Sequence, residues 1–396
     1  MRTKSILLSL SFCLPFFTAV LPAQQAQQPS AGLALTPPMG WNSWNKFGCN
    51  VSEDLIKGTA DAMVKSGMKD AGYQYVTIDD CWQVSRDAQG NIVADPQRFP
   101  HGMKAVGDYI HSLGLKFGIY SDAGSKTCQG RPGSRGHEFQ DAFIYASWGV
   151  DYLKFDWCHA EGQNSVESYS LMRDALKAAG RPIVFSICEW GSTKPWQWAK
   201  DVGNLWRATE DIQNCWDCKT NWGGLGVVRI LDLVDGIAYA GGPGHWNDPD
   251  MLEVGNGKLS PDESRAHFGM WCMLAAPLMS GNDLRHMEAD TLAVLTNKEV
   301  IAIDQDPLGK QASRVRKEGD KEVWARELAG GNRAVALLNR AATPQAITVK
   351  WEDLGYPAHL SAALHDVWQH KDLETMKGSF TATVAPHAAV IVTVRP

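Results

Sequence analysis

The sequence has no surplus of positive charge. Its 38 Lys and Arg stand against 44 Asp and Glu, for a formal net charge of −6. Without a basic field nothing gathers the phosphates of nucleic acid, so nucleic acid is not an expected partner. Long apolar runs are lacking too. The one candidate, Ile6 to Val20, is interrupted by Pro15 and is too short to span a bilayer comfortably, so no membrane partner is expected. There is no solenoid-type repeat, and low complexity is confined to Gln24–Pro29. Core-forming residues, by contrast, are plentiful: 44% of the chain is hydrophobic and 21% charged, which excludes a disordered chain. At 396 residues the prior is two or three domains. Sixteen tryptophans are the unusual feature, since an indole is a good flat wall for a ligand with an apolar face.

The N-terminus reads as a leader. Arg2 and Lys4 precede the apolar run, which exits through Leu21-Pro22-Ala23, the charge, hydrophobic stretch and small residue of a secretory signal. Phe12 before Cys13 argues against a lipoprotein cleavage site. Residues 1–23 are therefore expected to be a signal peptide, 24–32 a linker, and the protein secreted or periplasmic. Removing the leader takes away two bases and no acid, moving the net charge from −6 to −8. In an oxidising compartment the remaining cysteines become disulfide candidates: Cys49, Cys81, Cys128, Cys158, Cys188, Cys215, Cys218 and Cys272.

Short β-rich runs alternate with amphipathic helical stretches. Strands are expected near Met39–Trp44, Tyr75–Asp79, Phe117–Tyr120, Tyr152–Asp156, Ile183–Cys188, Leu205–Thr209, Gly244–Asp248 and Pro277–Ser280. Helical patterns include Asp54–Lys69, Val166–Ala179 and Pro261–Leu274, the last opening on a capping box at Ser260. Eight strands, each followed by a helix, have the count and size of an α/β fold of the (β/α)8 TIM-barrel type over residues 33–305. A doubly wound open sheet is the competitor, but no Gly-x-Gly-x-x-Gly follows the first strand. Beyond Asp306 the period changes to short alternating strands: Val323–Glu327, Ala334–Asn339, Ala346–Lys350, Leu360–Asp366, Ser379–Val384 and Val390–Val394. Residues 306–396 are expected to form a C-terminal antiparallel β-sandwich domain.

In such a barrel, chemistry sits at the C-terminal ends of the strands. There the sequence places Trp41, Asn42 and Trp44; Asp79, Asp80 and Trp82; Tyr120 and Asp122; Lys154, Asp156 and Trp157; Glu189 and Trp190; Arg207, Glu210 and Asp211; and His245, Trp246, Asp248 and Asp250. A single acid in this position is as readily a helix cap, but a ring of acids and indoles points to sugar chemistry: sugar C–H faces pack on indole, and hydroxyls bond carboxylates, Lys and Arg. Cleaving a glycosidic bond requires two carboxyls. Asp156, beside Lys154, suits an ionised nucleophile, and Asp211, two strands on, suits the acid across the bond. Composition alone does not select these two from the ring.

Six ordered motifs carry a closer likeness: Pro38-Met39-Gly40-Trp41-Asn42-Ser43-Trp44, Ile78-Asp79-Asp80-Cys81-Trp82, Gly118-Ile119-Tyr120-Ser121-Asp122-Ala123-Gly124, Tyr152-Leu153-Lys154-Phe155-Asp156, Cys188-Glu189-Trp190-Gly191 and Trp246-Asn247-Asp248-Pro249-Asp250-Met251-Leu252. They resemble the melibiase-type α-galactosidases of glycoside hydrolase family 27. The likeness runs in order from about Leu33, although the last ninety or so residues match only in general pattern. It implies Asp156 as nucleophile and Asp211 as acid/base of a retaining double displacement, with the carboxyls about 5–5.5 Å apart. Asp79 and Asp80 would accept from the 4- and 6-hydroxyls, Lys154 would donate to hydroxyls, Arg207 would reach the 2-hydroxyl side and Trp41 would stack on the ring. Tyr120, Cys188, Glu189, Trp190, Asp248 and Met251 would complete the wall, with a purely structural role for Asp248 and Asp250 equally open.

The implied substrate is a terminal α-D-galactosyl residue of an oligosaccharide, galactomannan or glycoconjugate. Glu189 and Trp190 fill the stretch where N-acetylgalactosaminidases of this family keep small residues, and the Asp79–Asp80 pair argues against a β-L-arabinopyranosidase. A non-catalytic galactose-binding lectin, from a different class, would be expected to have lost one of the catalytic acids. No cofactor and no metal are expected. His245, Asp248 and Asp250 fit no zinc spacing. Bridges Cys49–Cys81 and Cys128–Cys158 join adjacent loops of one rim and agree with the family. Cys215–Cys218 departs from it, and a local disulfide is favoured there. Cys188 is expected as a free pocket-lining thiol and Cys272 as core. Homo-oligomerisation and the glycosylation of Asn50 are left open.

Overall fold

The computed structural model describes residues 32–396; the expected leader and residues 24–31 lie outside the described residues. Eight parallel strands run Met39–Asn42 (β1), Tyr75–Ile78 (β2), Lys116–Asp122 (β3), Tyr152–Asp156 (β4), Val184–Ile187 (β5), Leu205–Arg207 (β6), Trp246–Asp248 (β7) and Leu278–Ser280 (β8). They are ordered β8-β1-β2-β3-β4-β5-β6-β7. The seam between β7 and β8 closes past the end of β7, which stops at Asp248: Leu252 bridges Ser280, with its N–H donating to Met279 O at 2.8 Å. The result is a TIM barrel.

Helices pack outside the strands: Glu53–Lys65 (α1), Gly102–Ser112 (α2), Glu138–Ser147 (α3), Ser165–Ala179 (α4), Val227–Val234 (α5), Pro261–Met273 (α6), Ala289–Leu295 (α7) and Lys298–Asp304 (α8). Their starts are chemically marked. Ser52 and Asn164 accept from Leu55 N and Glu167 N, and Ser260 with Glu263 forms the expected capping box ahead of Pro261. Two expectations need correction. The helix expected over Asp54–Lys69 ends at Lys65, because Gly67 turns left-handed (φ 83°) before a separate turn at Met68–Ala71. After β5 there is no α-helix, only short 3₁₀ turns at Pro195–Gln197 and Ala199–Asp201. The left-handed Lys194 (φ 58°) bars helix before Pro195, and Trp198 (φ −133°) leaves helical geometry just after Gln197.

The barrel has a closed end and an open end. Tyr75, Tyr152, Val184, Leu205 and Trp246, each the first residue of its strand, form one buried cluster with Leu33 and Ala34 packed against it. The Trp246 indole N–H donates to Ala34 O at 2.8 Å, fixing this plug. Apolar strand starts fill the bottom, so the polar strand ends are left at the opposite mouth.

The C-terminal sandwich has strands Ser313–Glu318 (β9), Lys321–Glu327 (β10), Arg333–Asn339 (β11), Gln345–Lys350 (β12), Ser361–Asp366 (β13), Ser379–Val384 (β14) and Ala389–Arg395 (β15). One antiparallel sheet is ordered β9-β10-β11-β15-β13, and β12 pairs with β14 in the other. Val335, Leu337, Ile347, Val349, Phe380 and Val392 pack between them. Trp324 and Trp351 are fully buried and Trp368 half-buried. The strand β9 was not expected: Arg314, Arg316 and Lys317 hide its alternation, in the manner of a charged edge strand. Helix α6 docks on this sheet, where Gly269 faces Ile391 with no space for a Cβ. At the periphery Asp232 pairs with Arg314 and Arg340 at 2.6 and 2.8 Å, linking barrel to sandwich.

Candidate active site

A cavity of about 890 Å³ opens at the C-terminal mouth of the barrel. Asp79, Asp80, Tyr120, Lys154, Asp156, Trp190, Arg207, Asp211, Asp250 and Met251 line it, together with the Cys128–Cys158 bridge.

The last residue of β4 supplies Asp156. The parallel register sets Asp122 directly beside it on β3, and Lys154 lies two residues back on the same face. Asp156 is buried; Tyr120 donates its hydroxyl to Oδ2 at 3.0 Å and Trp157 its N–H to Oδ1 at 3.0 Å. Burial pushes its carboxyl up to about 6, although the Lys154 ammonium pulls it down. Burial alone would push the Lys154 ammonium down as well. Asp79, 2.9 Å from its Nζ, leads the acidic neighbours that outweigh this and hold it charged.

Asp79 is fixed on every side: Asn42 and Lys154 donate to Oδ2 at 2.7 and 2.9 Å, and Asp80 N to Oδ1 at 2.9 Å. Asp80 accepts from Cys81 N at 2.6 Å and Gln129 N at 3.0 Å. Burial raises its carboxyl. These two acids are thus held by backbone N–H groups of the loops after β2 and β3 and by the side chains of Asn42 and Lys154, a rigid pair of acceptors.

Asp211 sits on the loop after β6 with its side chain 43% exposed, far more open than Asp156. Burial raises its carboxyl, but Arg207 and Lys154 outweigh it and hold the group below its ordinary value. Arg207 Nη2 lies 2.9 Å from Asp211 Oδ1 and 3.0 Å from Asp250 Oδ2. The cavity therefore holds two carboxyls in contrasting environments, with a guanidinium on one and an ammonium two residues from the other. This is what acid-assisted displacement at a single carbon needs.

Some expected residues stand elsewhere. Trp41 is fully buried, its indole N–H donating to Asn282 O at 2.7 Å, and it does not line the cavity. Cys188 is a free thiol but lies beneath Arg207, whose Nη1 is 3.7 Å away, rather than in the wall. Glu189 is buried, with Oε2 accepting from Thr193 N at 2.8 Å, and burial raises it to about 7. Asp248 is also behind the wall, accepting from Asp250 N at 2.8 Å, while Asp250 reaches the cavity. The two acids left open by the sequence are thus divided between a structural and a site position.

Asp250 has a left-handed backbone (φ 81°), as do Cys81 (79°), His159 (48°) and Trp190 (58°), each just after β2, β4, β5 or β7. Strained backbone clustered at one mouth is a mark of a functional site, and no residue-type signal announces it. Asp122, although at a strand end, belongs to the support: it is fully buried, accepts from Gly124 N at 2.7 Å and Cys158 N at 3.0 Å, and burial followed by Asp156 pushes it to about 9. Trp44, Phe47, Gln213, Asn214, Trp222, Glu253 and Lys258 also line the cavity and were not singled out as binding residues; Trp44 and Phe47 form a short helical turn directly after β1, and the other five lie on the loops after β6 and β7, whose course the strand pattern does not set.

As for metals, Asp122, Cys128 and Cys158 come together, but both sulfurs are already spent in a disulfide. Bridges Cys49–Cys81 and Cys215–Cys218 are also formed, and Cys272 is buried and free. His245 precedes β7, at the closed end, away from Asp248 and Asp250. Among the described residues no helix is long and apolar enough to cross a membrane.

Comparison with known proteins agrees with this architecture. The sequence model of the family described as alpha galactosidase A matches residues 36–306, and that of the alpha galactosidase C-terminal beta sandwich domain matches 318–394. An alpha-galactosidase A of Cellvibrio japonicus is 55% identical over 341 residues, 85% of this chain and 83% of that protein. The crystal structure of alpha-galactosidase I from Mortierella vinacea superposes with a TM-score of 0.90 at 38% identity, covering 92% of this chain and 98% of that one. An α-galactosidase from Saccharomyces cerevisiae solved with raffinose gives 0.87 at 33% identity, covering 93% and 99%.

Proposed function

The chain belongs to the melibiase family, the α-galactosidases of glycoside hydrolase family 27, and from that premise we propose that it is an exported, retaining exo-α-galactosidase. Its substrate is a terminal α-D-galactosyl residue on an oligosaccharide, galactomannan or glycoconjugate. The observation that carries this reading is the meeting of Asp156 and Asp211 in one cavity with the braced acceptors Asp79 and Asp80.

In the first step an Asp156 oxygen attacks the anomeric carbon while the bond to the aglycone oxygen breaks, and Asp211 gives that oxygen its proton. In the second, Asp211 takes a proton from water, whose oxygen displaces Asp156 from the same carbon, restoring both carboxyls. Asp79, Asp80 and Lys154 read the 4- and 6-hydroxyls. Trp190, which faces the cavity where Glu189 does not, stands in the stretch where N-acetylgalactosaminidases of this family keep small residues. That favours a free 2-hydroxyl over an N-acetyl sugar. Export rests on the leader composition of residues 1–23.

The test is hydrolysis of nitrophenyl α-galactoside beside the α-N-acetylgalactosaminide and the β-L-arabinopyranoside, with proton NMR of the first-formed anomer. Dominant α-galactoside cleavage releasing the α-anomer is expected. Preference for another glycone would overturn the substrate reading, first release of the β-anomer the double displacement, and binding without turnover the enzymatic reading.

A further inference from the structure

The galactose-reading residues occupy one part of a cavity larger than a single pyranose requires, and its volume is near the upper end for ligand pockets. On the rim stands Trp222, 62% exposed, a large apolar side chain that the family's glycone chemistry does not use. Burial in the core does not explain it, because most of its surface faces solvent.

Its placement is tied to the acid. Trp222 sits in the turn Thr220–Gly224, closed by Thr220 N to Gly224 O at 2.8 Å and by Gly224 N to the Thr220 hydroxyl at 2.8 Å. The next residue, Leu225, donates its N–H to Asp211 O at 2.9 Å and accepts from Gln213 N at 2.7 Å. Cys218 O accepts from Gly226 N at 2.8 Å, and Cys218 is joined to Cys215. The loop thus leaves Asp211, is stapled on itself and returns to hydrogen-bond the backbone of Asp211. Two glycines permit the pose. Gly223 has φ 115°, and a Cβ on Gly224 would come 2.7 Å from Trp222 Cη2, so the six-membered ring rests directly over the turn. Gln213 and Asn214 from the same loop, and Lys258 from the loop after β7, add polar groups to the cavity lining.

An indole braced from below, open on the rim and hydrogen-bonded through its loop to the proton donor lies where the leaving group must emerge. We infer that Trp222 is the platform for the aglycone, taking the C–H face of a pyranose attached to the scissile oxygen. This rests on the glycosidase reading and deepens it: the enzyme selects galactosides whose aglycone is itself a sugar ring.

The test compares kcat/KM for melibiose, whose aglycone is glucose, with that for methyl α-galactoside, which has no aglycone ring, in the wild type, Trp222→Ala and Trp222→Phe. The ratio of melibiose to methyl galactoside is expected to fall about tenfold in Trp222→Ala and to recover largely in Trp222→Phe. Thermal unfolding should be nearly unchanged, since the side chain is mostly in solvent. An unchanged ratio, or an equal loss on both substrates, would overturn the platform. If the wild type turned over neither substrate, the failure would lie in the glycosidase reading instead.

Discussion

The guanidinium of Arg207 lies 2.9 Å from Asp211 Oδ1, so the proton donor of the proposed reaction rests as one half of an ion pair. Asp156, the proposed nucleophile, is the carboxyl pushed up, to about 6 by burial. Of the two, Asp156 is therefore the carboxyl that takes up a proton more readily in the ligand-free pocket. The reaction needs that proton on Asp211. Such coupled carboxyls titrate as a pair, and activity follows the singly protonated pair, not either residue alone.

The pH dependence follows from that. The singly protonated pair exists below the upper step, near 6, and above the lower one, which lies below the ordinary carboxylate value. As pH rises through about 6 the Asp156–Asp211 pair loses its proton, and Asp211 has none to donate. As pH falls through the lower step Asp156 can no longer be freed as a nucleophile. A bell-shaped kcat/KM profile on melibiose with its alkaline limb near pH 6 is expected. A plateau reaching pH 8 would contradict the assignment.

The two carboxyls are separable by leaving group. Asp211→Ala is expected to lower kcat/KM on melibiose by about 10²–10⁴-fold while sparing nitrophenyl α-galactoside, whose leaving oxygen needs little protonation. Asp156→Ala should reduce both to background, because every substrate requires the covalent step. Equal losses on both substrates in Asp211→Ala would remove it from the acid role.

The strand ends carry their chemistry in sequence because a parallel barrel makes position and face follow from periodicity, and Asp79, Lys154, Asp156 and Arg207 could be read that way. What could not be read depends on loops and on depth. Trp41 and Glu189 are at strand ends of the right type, yet they turn into the core and bond Asn282 and Thr193, partners 241 and 4 residues away. Asp248 and Asp250 look alike in sequence, yet Asp250, with its left-handed backbone, is the one that ion-pairs with Arg207 and reaches the cavity. Trp222 lies on a loop whose path is set by hydrogen bonds that no propensity encodes.

Helix α2 offers a test of packing against propensity. Alanine at position 107 would improve helix propensity by about 1 kcal/mol. However, its Cβ would meet Trp148 O at 2.6 Å and Phe117 Cδ1 at 2.9 Å. A backbone carbonyl cannot move aside as a side-chain tip can, and overpacking costs about 1–3 kcal/mol. Gly107→Ala is therefore expected to lower stability in urea unfolding despite the better helix former. A rise in the midpoint would show that α2 is free to shift outward.

The disulfides divide by what they close. Cys128–Cys158 spans 30 residues and Cys215–Cys218 only 3. In the chain-entropy account the longer loop is worth about 3–4 kcal/mol and the short one much less. The long bridge is also part of the wall, with Cys128 Sγ 3.6 Å from Asp156 Oδ2 and Cys158 N holding Asp122. Replacing both Cys128 and Cys158 by Ser should thus lower the unfolding midpoint and the kcat for every α-galactoside alike. Replacing Cys215 and Cys218 by Ser should leave the midpoint nearly unchanged and loosen only the loop that carries Trp222. Its effect should then appear in the ratio of melibiose to methyl galactoside, while hydrolysis of the methyl glycoside changes little. An unchanged substrate ratio in the Cys215 and Cys218 variant would mean that the loop beyond Asp211 is held by its backbone hydrogen bonds and not by the bridge, and a midpoint lowered as far as in the Cys128 and Cys158 variant would overturn the loop-length account.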